Sequence, residues 1–129
     1  MRKWLLVLLF FNGISGLAGG YGLISDPSGS ALEMKLRWLE SSPFSDYLVP
    51  GIILFTVNGL GNLAAAVILI IMKNRALLIS AVFGGIMIFW IISQVLMIGY
   101  KSFLQPLYFS TGLLVLILSL LLMRKKVED

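Results

Sequence analysis

The sequence predicts an all-α membrane protein: a four-transmembrane-helix up-down bundle with an outer interfacial amphipathic helix. Three observations predict it. Hydrophobic residues make up 59% of the 129-residue chain and charged residues 12%, against roughly 45–50% and 25% in soluble domains. The apolar residues gather in four stretches, each about the 20 residues that cross about 30 Å of hydrocarbon at 1.5 Å per residue. No Asp, Glu, Lys or Arg interrupts any of the four. A soluble domain, a disordered chain and a nucleic-acid binder are excluded, despite the net charge of +4.

The chain reads as a single membrane domain over residues 1–129, with spans at about 4–24, 48–72, 76–98 and 103–123. In the first, Asn12, Ser15, Gly16, Gly19 and Gly20 recur at helical spacing and share a face. Gly16 and Gly20 form a GxxxG pair of the kind that lets helix backbones approach in lipid. This stretch also reads as a signal peptide, with Arg2 and Lys3 before an apolar run and small residues around Ala18. Its continuation to Ile24 favours a retained helix.

The connection at about 26–47 starts with Asp26-Pro27-Ser28-Gly29, which is turn chemistry. Ser30 with Glu33 is a capping-box pattern, so a short helix is expected over about 31–40. Glu33, Arg37 and Glu40 take one arc, and leucines, Met34 and Trp38 the other, as in a helix lying at a membrane interface. Lys35 could snorkel from the apolar arc. Ser42-Pro43 reads as N-cap and first position of a further helix. Pro50-Gly51 is expected to kink or break the chain before the second span proper.

The second span presents Asn58, Gly61, Asn62 and Ala65 on one face. The third presents Ser80, Gly84, Met87, Ile91 and Gln94, and the fourth Tyr108, Thr111, Gly112, Val115 and Ser119. Each helix has one small or polar stripe, and four stripes turned inward make the bundle. Arg2, Lys3, Lys73, Arg75, Arg124, Lys125 and Lys126 flank one side; Lys35, Arg37 and Lys101 flank the other. The positive-inside rule then puts both termini in the cytoplasm and the 26–47 loop outside a plasma membrane. Tyr21, Trp38, Tyr47, Tyr100 and Tyr108 are expected near the outer interface and Trp4 at the inner one.

The chain has no Cys and no His. That excludes disulfides, a thiolate nucleophile, an imidazole base and the usual zinc, haem and iron–sulfur ligand sets. No cofactor is expected. Amides and hydroxyls remain: Asn12, Ser15, Asn58, Asn62, Gln94 and Thr111, with Trp90 and Trp38 as aromatic neighbours, are the candidate ligand-binding residues. They can serve as helix glue or as a polar floor for a lipophilic molecule, walled by Phe55, Phe83, Phe89 and Trp90. The small multidrug-resistance carriers share this size and helix count but depend on a membrane-embedded Glu, which this chain lacks. Without intramembrane charge, proton-coupled export and voltage sensing have no titrating group.

Asp26-Pro27-Ser28-Gly29, Leu36, Trp38-Leu39, the run from Pro43 through Asp46-Tyr47 to Pro50-Gly51, and Leu54-Phe55 resemble a group of small bacterial four-span membrane proteins. The likeness covers roughly residues 16–65, and in architecture the chain is similar to the DoxX-like families. It implies a four-helix protein of a bacterial plasma membrane, with no activity carried over. Thr56-Val57-Asn58-Gly59-Leu60-Gly61 is loosely similar to the second helix of the fluoride-channel family, whose Arg after the first Gly-rich segment is absent here. The expected function is non-catalytic binding, of membrane lipids, a lipophilic small molecule, a partner transmembrane helix or a second copy of the chain. A transporter or channel subunit, or a structural accessory of a membrane complex, is the alternative.

Overall fold

A computed structural model describes residues 2–30, 35–40, 42–99 and 104–128, without the side chains of 74, 98, 104 and 126–128. Four long helices carry the fold: α1 (Arg2–Ser25), α2 (Leu48–Met72), α3 (Leu77–Ile98) and α4 (Leu104–Glu128). All four are long and apolar enough to cross a membrane. Their outward faces are hydrophobic, with Phe89 at 72% and Leu96 at 81% exposure. That surface suits lipid, where a soluble protein would rarely expose so continuous an apolar patch.

The helices pair as two antiparallel hairpins, each closed by glycine. Between α1 and α2, ideal Cβ atoms on Gly16 and Gly20 would lie 2.6 Å from the backbone nitrogen of Gly59 and 2.5 Å from Phe55 Cβ. Between α3 and α4, one on Gly84 would lie 2.9 Å from the carbonyl oxygen of Gly112. Hydrocarbon gives apolar side chains no reason to prefer each other over lipid, so close backbone packing is what holds such helices together. The hairpins meet through side chains instead, with Phe11 stacked on Tyr108 at 6.0 Å and the Phe83 ring against Gly61. Most of the expected inward residues are buried: Asn12, Gly16 and Gly20; Asn58, Asn62 and Ala65; Ser80, Gly84, Met87 and Ile91; Thr111, Gly112, Val115 and Ser119. Ser15, Gly19, Gly61, Gln94 and Tyr108 are half-buried.

Helix α2 is not uniform. It is α-helical over Leu48–Ile53, π-helical over Leu54–Leu60 and α-helical again over Gly61–Met72. Pro50 lies in its first turn, where a missing N–H breaks no intrahelical bond. The break expected at Pro50-Gly51 therefore does not occur. The irregularity lies one to two turns further in, around Asn58 and Gly59.

The connection between α1 and α2 also differs from expectation. Lys35 is extended, with φ −113° and ψ 138°, so no continuous helix runs over 31–40; a single 3₁₀ turn, Leu36–Leu39, remains. The Ser30–Glu33 capping box involves residues outside those described. Ser42 does not start a helix: its Oγ donates to the Leu39 carbonyl at 2.9 Å and accepts the Phe44 N–H at 3.2 Å, closing a turn. The next helix waits until Leu48, whose N–H is accepted by Asp46 Oδ1 at 3.0 Å. The Asp26–Gly29 turn forms as expected, with Gly29 at φ 83°. Tyr47 is buried at 2% exposure. Its N–H donates to the Pro27 carbonyl at 2.9 Å and its hydroxyl to the Lys35 carbonyl at 2.7 Å.

Two separate apolar clusters result. Tyr47, Leu39 and Leu23 form one at the loop end, with Phe44 and Leu54 packed on it. Leu5, Leu9, Ala65, Ala66, Leu69, Ala76, Leu77 and Val115 form the other, toward the opposite end.

Candidate functional site

The two clusters bracket the amides. Along α1, Leu5 and Leu9 belong to one cluster and Leu23 to the other, with Asn12 between them. Along α2, Leu54 packs on the loop-end cluster and Ala65, Ala66 and Leu69 belong to the far one, with Asn58 and Asn62 between. All three asparagines have 0% exposure. The antiparallel register sets Asn12 near the height of Asn62, since Gly13 packs on Leu63, and Asn58 about one turn further toward the loop end, since Gly16 packs on Asn58 and Gly59.

Their hydrogen bonding is incomplete. Asn62 Nδ2 donates to the Asn58 carbonyl at 2.7 Å. Asn62 Oδ1 and both side-chain polar atoms of Asn12 and of Asn58 have no partner among the described residues. A buried amide group without a partner costs about 1–3 kcal/mol in water-soluble proteins, and hydrocarbon offers no relief. Orphaned groups at this density call for a physical reason. The π-helical turn runs through the same place, and such turns re-aim side chains and concentrate at functional sites.

Other expected residues fall elsewhere. Ser15 is half-buried beside the cluster. Thr111 is buried, but its hydroxyl returns to its own helix, donating to the Tyr108 carbonyl at 3.0 Å. Gln94 belongs to a distinct pair at the loop end of α3 and α4, where Gln105 Nε2 donates to Gln94 Oε1 at 3.4 Å and to the Gly99 carbonyl at 3.3 Å. Trp38 sits in the 3₁₀ turn of the loop, half-buried and away from the amides. Trp90 is half-buried on α3. Phe89 faces outward and lines nothing; Phe55 and Phe83 are taken up by contacts with Gly20 and Gly61.

Gln105, buried at 5% exposure, lies outside the expected set, although an amide inside the fourth apolar stretch is a visible signal in the sequence. So do Gly13, Gly51 and Gly59, as contact points. Among the described residues no three acidic, His or Cys side chains come together as a metal-ligand set.

The site is thus an uncharged amide cluster midway along the bundle, enclosed by apolar packing above and below. No family model matches this chain, and neither any curated protein nor any solved structure matches it.

Proposed function

We propose that this chain is a non-catalytic membrane protein that binds a lipophilic molecule carrying a hydrogen-bonding head, held by Asn12, Asn58 and Asn62. One observation carries the reading: five amide atoms at zero exposure lack partners among the described residues. A bundle selected only for packing would be more stable with apolar residues of similar volume at those positions. The seam between the hairpins, closed by side chains rather than by backbone, is the place where a tail passes to the lipid. The charge pattern supports a plasma-membrane orientation with both termini cytoplasmic and the capped loop outside.

Native mass spectrometry of the chain released from lipid particles tests the reading. The wild type is expected to retain a small-molecule adduct that Asn58→Leu/Asn62→Leu lacks. Unchanged adducts together with a less stable double variant would leave the amides as helix glue. The apolar clusters at both ends of the cluster also favour a second reading, passage of a small solute through an occluded state. Solute flux into reconstituted vesicles that disappears in Asn58→Leu would select it.

A further inference from the structure

The chemical class of the ligand follows from an inventory of the unpaired atoms, and it rests on the binding reading just given. Asn12 and Asn58 each bury an unused NH₂ group and an unused carbonyl, and Asn62 adds an unused carbonyl. Because both ends of Asn12 and Asn58 are unpaired, turning either amide about its Cβ–Cγ bond changes nothing in the count. The cluster therefore offers donors and acceptors together, and no charge.

Each ligand chemistry can be matched against that offer. A ketone, quinone or ester only accepts hydrogen bonds; it would leave all three amide carbonyls unpaired in an apolar surrounding. A carboxylate or phosphate would need a cation. The nearest ones on α1 are Lys3 and Arg2, nine and ten residues and so about 14–15 Å along the helix from Asn12; Lys3 is exposed, and Arg2 Nη2 is already held by the Leu69 carbonyl at 3.3 Å. An ammonium would need an acid, and no span contains one. A hydroxyl or a primary carboxamide both donates and accepts without charge. We propose that the Asn12–Asn58–Asn62 cluster selects lipophiles whose head is neutral and carries a donor and an acceptor together.

Delipidated full-length chain in nanodiscs of ether-linked phosphocholine lipid provides the test. Thermal unfolding is followed with added 1-dodecanol, dodecanamide, methyl dodecanoate, dodecanoate or dodecylammonium. The same titrations run on Asn58→Leu/Asn62→Leu and on Asn12→Leu, which alters the other helix and covers the case where the double variant folds poorly. Subtracting the variants removes any effect of the probes on the bilayer itself. Dodecanol and dodecanamide are expected to raise the wild-type midpoint saturably, with the rise lost in the variants, and the other three to give no amide-dependent shift. An equal amide-dependent rise with methyl dodecanoate or with either ion overturns the assigned class while leaving ligand binding in place. No amide-dependent shift with any probe overturns the binding reading as well, and leaves the amides satisfied by water or by nothing.

Discussion

Gly16 and Gly59 bring two helix backbones into contact: an ideal Cβ on Gly16 would lie 2.6 Å from the Gly59 nitrogen and 2.8 Å from its Cα. Backbone cannot move aside as a flexible side chain can, so Gly16→Ala must push α1 off α2. Overpacking of this kind costs about 1–3 kcal/mol. Gly85 is the control, since a Cβ there meets nothing within 4 Å. Gly85→Ala is expected to be neutral or to gain up to about 1 kcal/mol from helix propensity. Thermal melts of the two variants in one detergent check the contrast, and equal losses would mean that the α1–α2 contact is not close-packed.

The orphaned amides make a stability prediction of the opposite sign. Without ligand, Asn12 leaves both its polar side-chain atoms unpaired. Replacing it with leucine removes that penalty, worth about 1–3 kcal/mol. Asn12→Leu is expected to melt higher than wild type in lipid-free detergent and to lose ligand binding. A lower melting point would show that Asn12 has a partner within the chain.

These sites were legible to different degrees. The four spans and their inward faces could be read because hydrocarbon forces both: long uncharged stretches, with small and polar residues confined to one stripe. Asn12, Asn58 and Asn62 followed from that stripe. Gln94 and Trp38 did not belong with them, because a helical wheel gives an angle and not a height, and Gln94 lies at the loop end beside Gln105. The π-helical turn was not legible. Leu54–Leu60 contains nothing that distinguishes one backbone pairing from the next, and Gly16 and Gly20 bear on it from another helix. The loop was misread for a similar reason. Its shape depends on Tyr47 reaching Lys35, twelve residues away, which local propensity does not encode.

Lys73 ends α2 at φ 54° and ψ −127°, in the left-handed region that favours glycine. Its N–H donates to the Leu69 carbonyl, which also accepts from Arg2. Lys73→Gly keeps that backbone bond and relieves strain of about 1–3 kcal/mol, less the extra entropy of the unfolded chain. A modest rise in melting temperature is expected; a fall would mean that the Lys73 side chain contributes more than its backbone costs.

Orientation can be read with single cysteines, because the chain has none of its own. Ser30 is exposed in the connection between α1 and α2, and Asn74 lies in the 3₁₀ turn Lys73–Ala76 at the other end of the bundle. In intact cells a membrane-impermeant maleimide is expected to label Ser30→Cys at once and Asn74→Cys only after lysis. The reverse pattern would invert the bundle.

Tyr47 makes the loop's docking depend on pH. Burial pushes its phenol above the ordinary value of 10.0, because desolvation disfavours the phenolate. The folded loop therefore holds the proton more tightly than the open one. Docking is fully present below about pH 10, the phenol's value in the open loop, and weakens as pH rises through the higher folded value. The hydroxyl also donates to the Lys35 carbonyl at 2.7 Å, a bond that phenolate cannot make. Tyr47→Phe removes the titrating group together with that bond, at a cost of about 1 kcal/mol. Hydrogen exchange over residues 35–47 reports both effects. Wild type is expected to lose protection between neutral pH and pH 11 beyond the intrinsic rise in exchange rate, whereas Tyr47→Phe starts less protected and shows no further loss. A wild-type profile that follows the intrinsic rate alone, with the Phe variant equally protected, would show that Leu39 and Leu23 hold the loop without the hydroxyl.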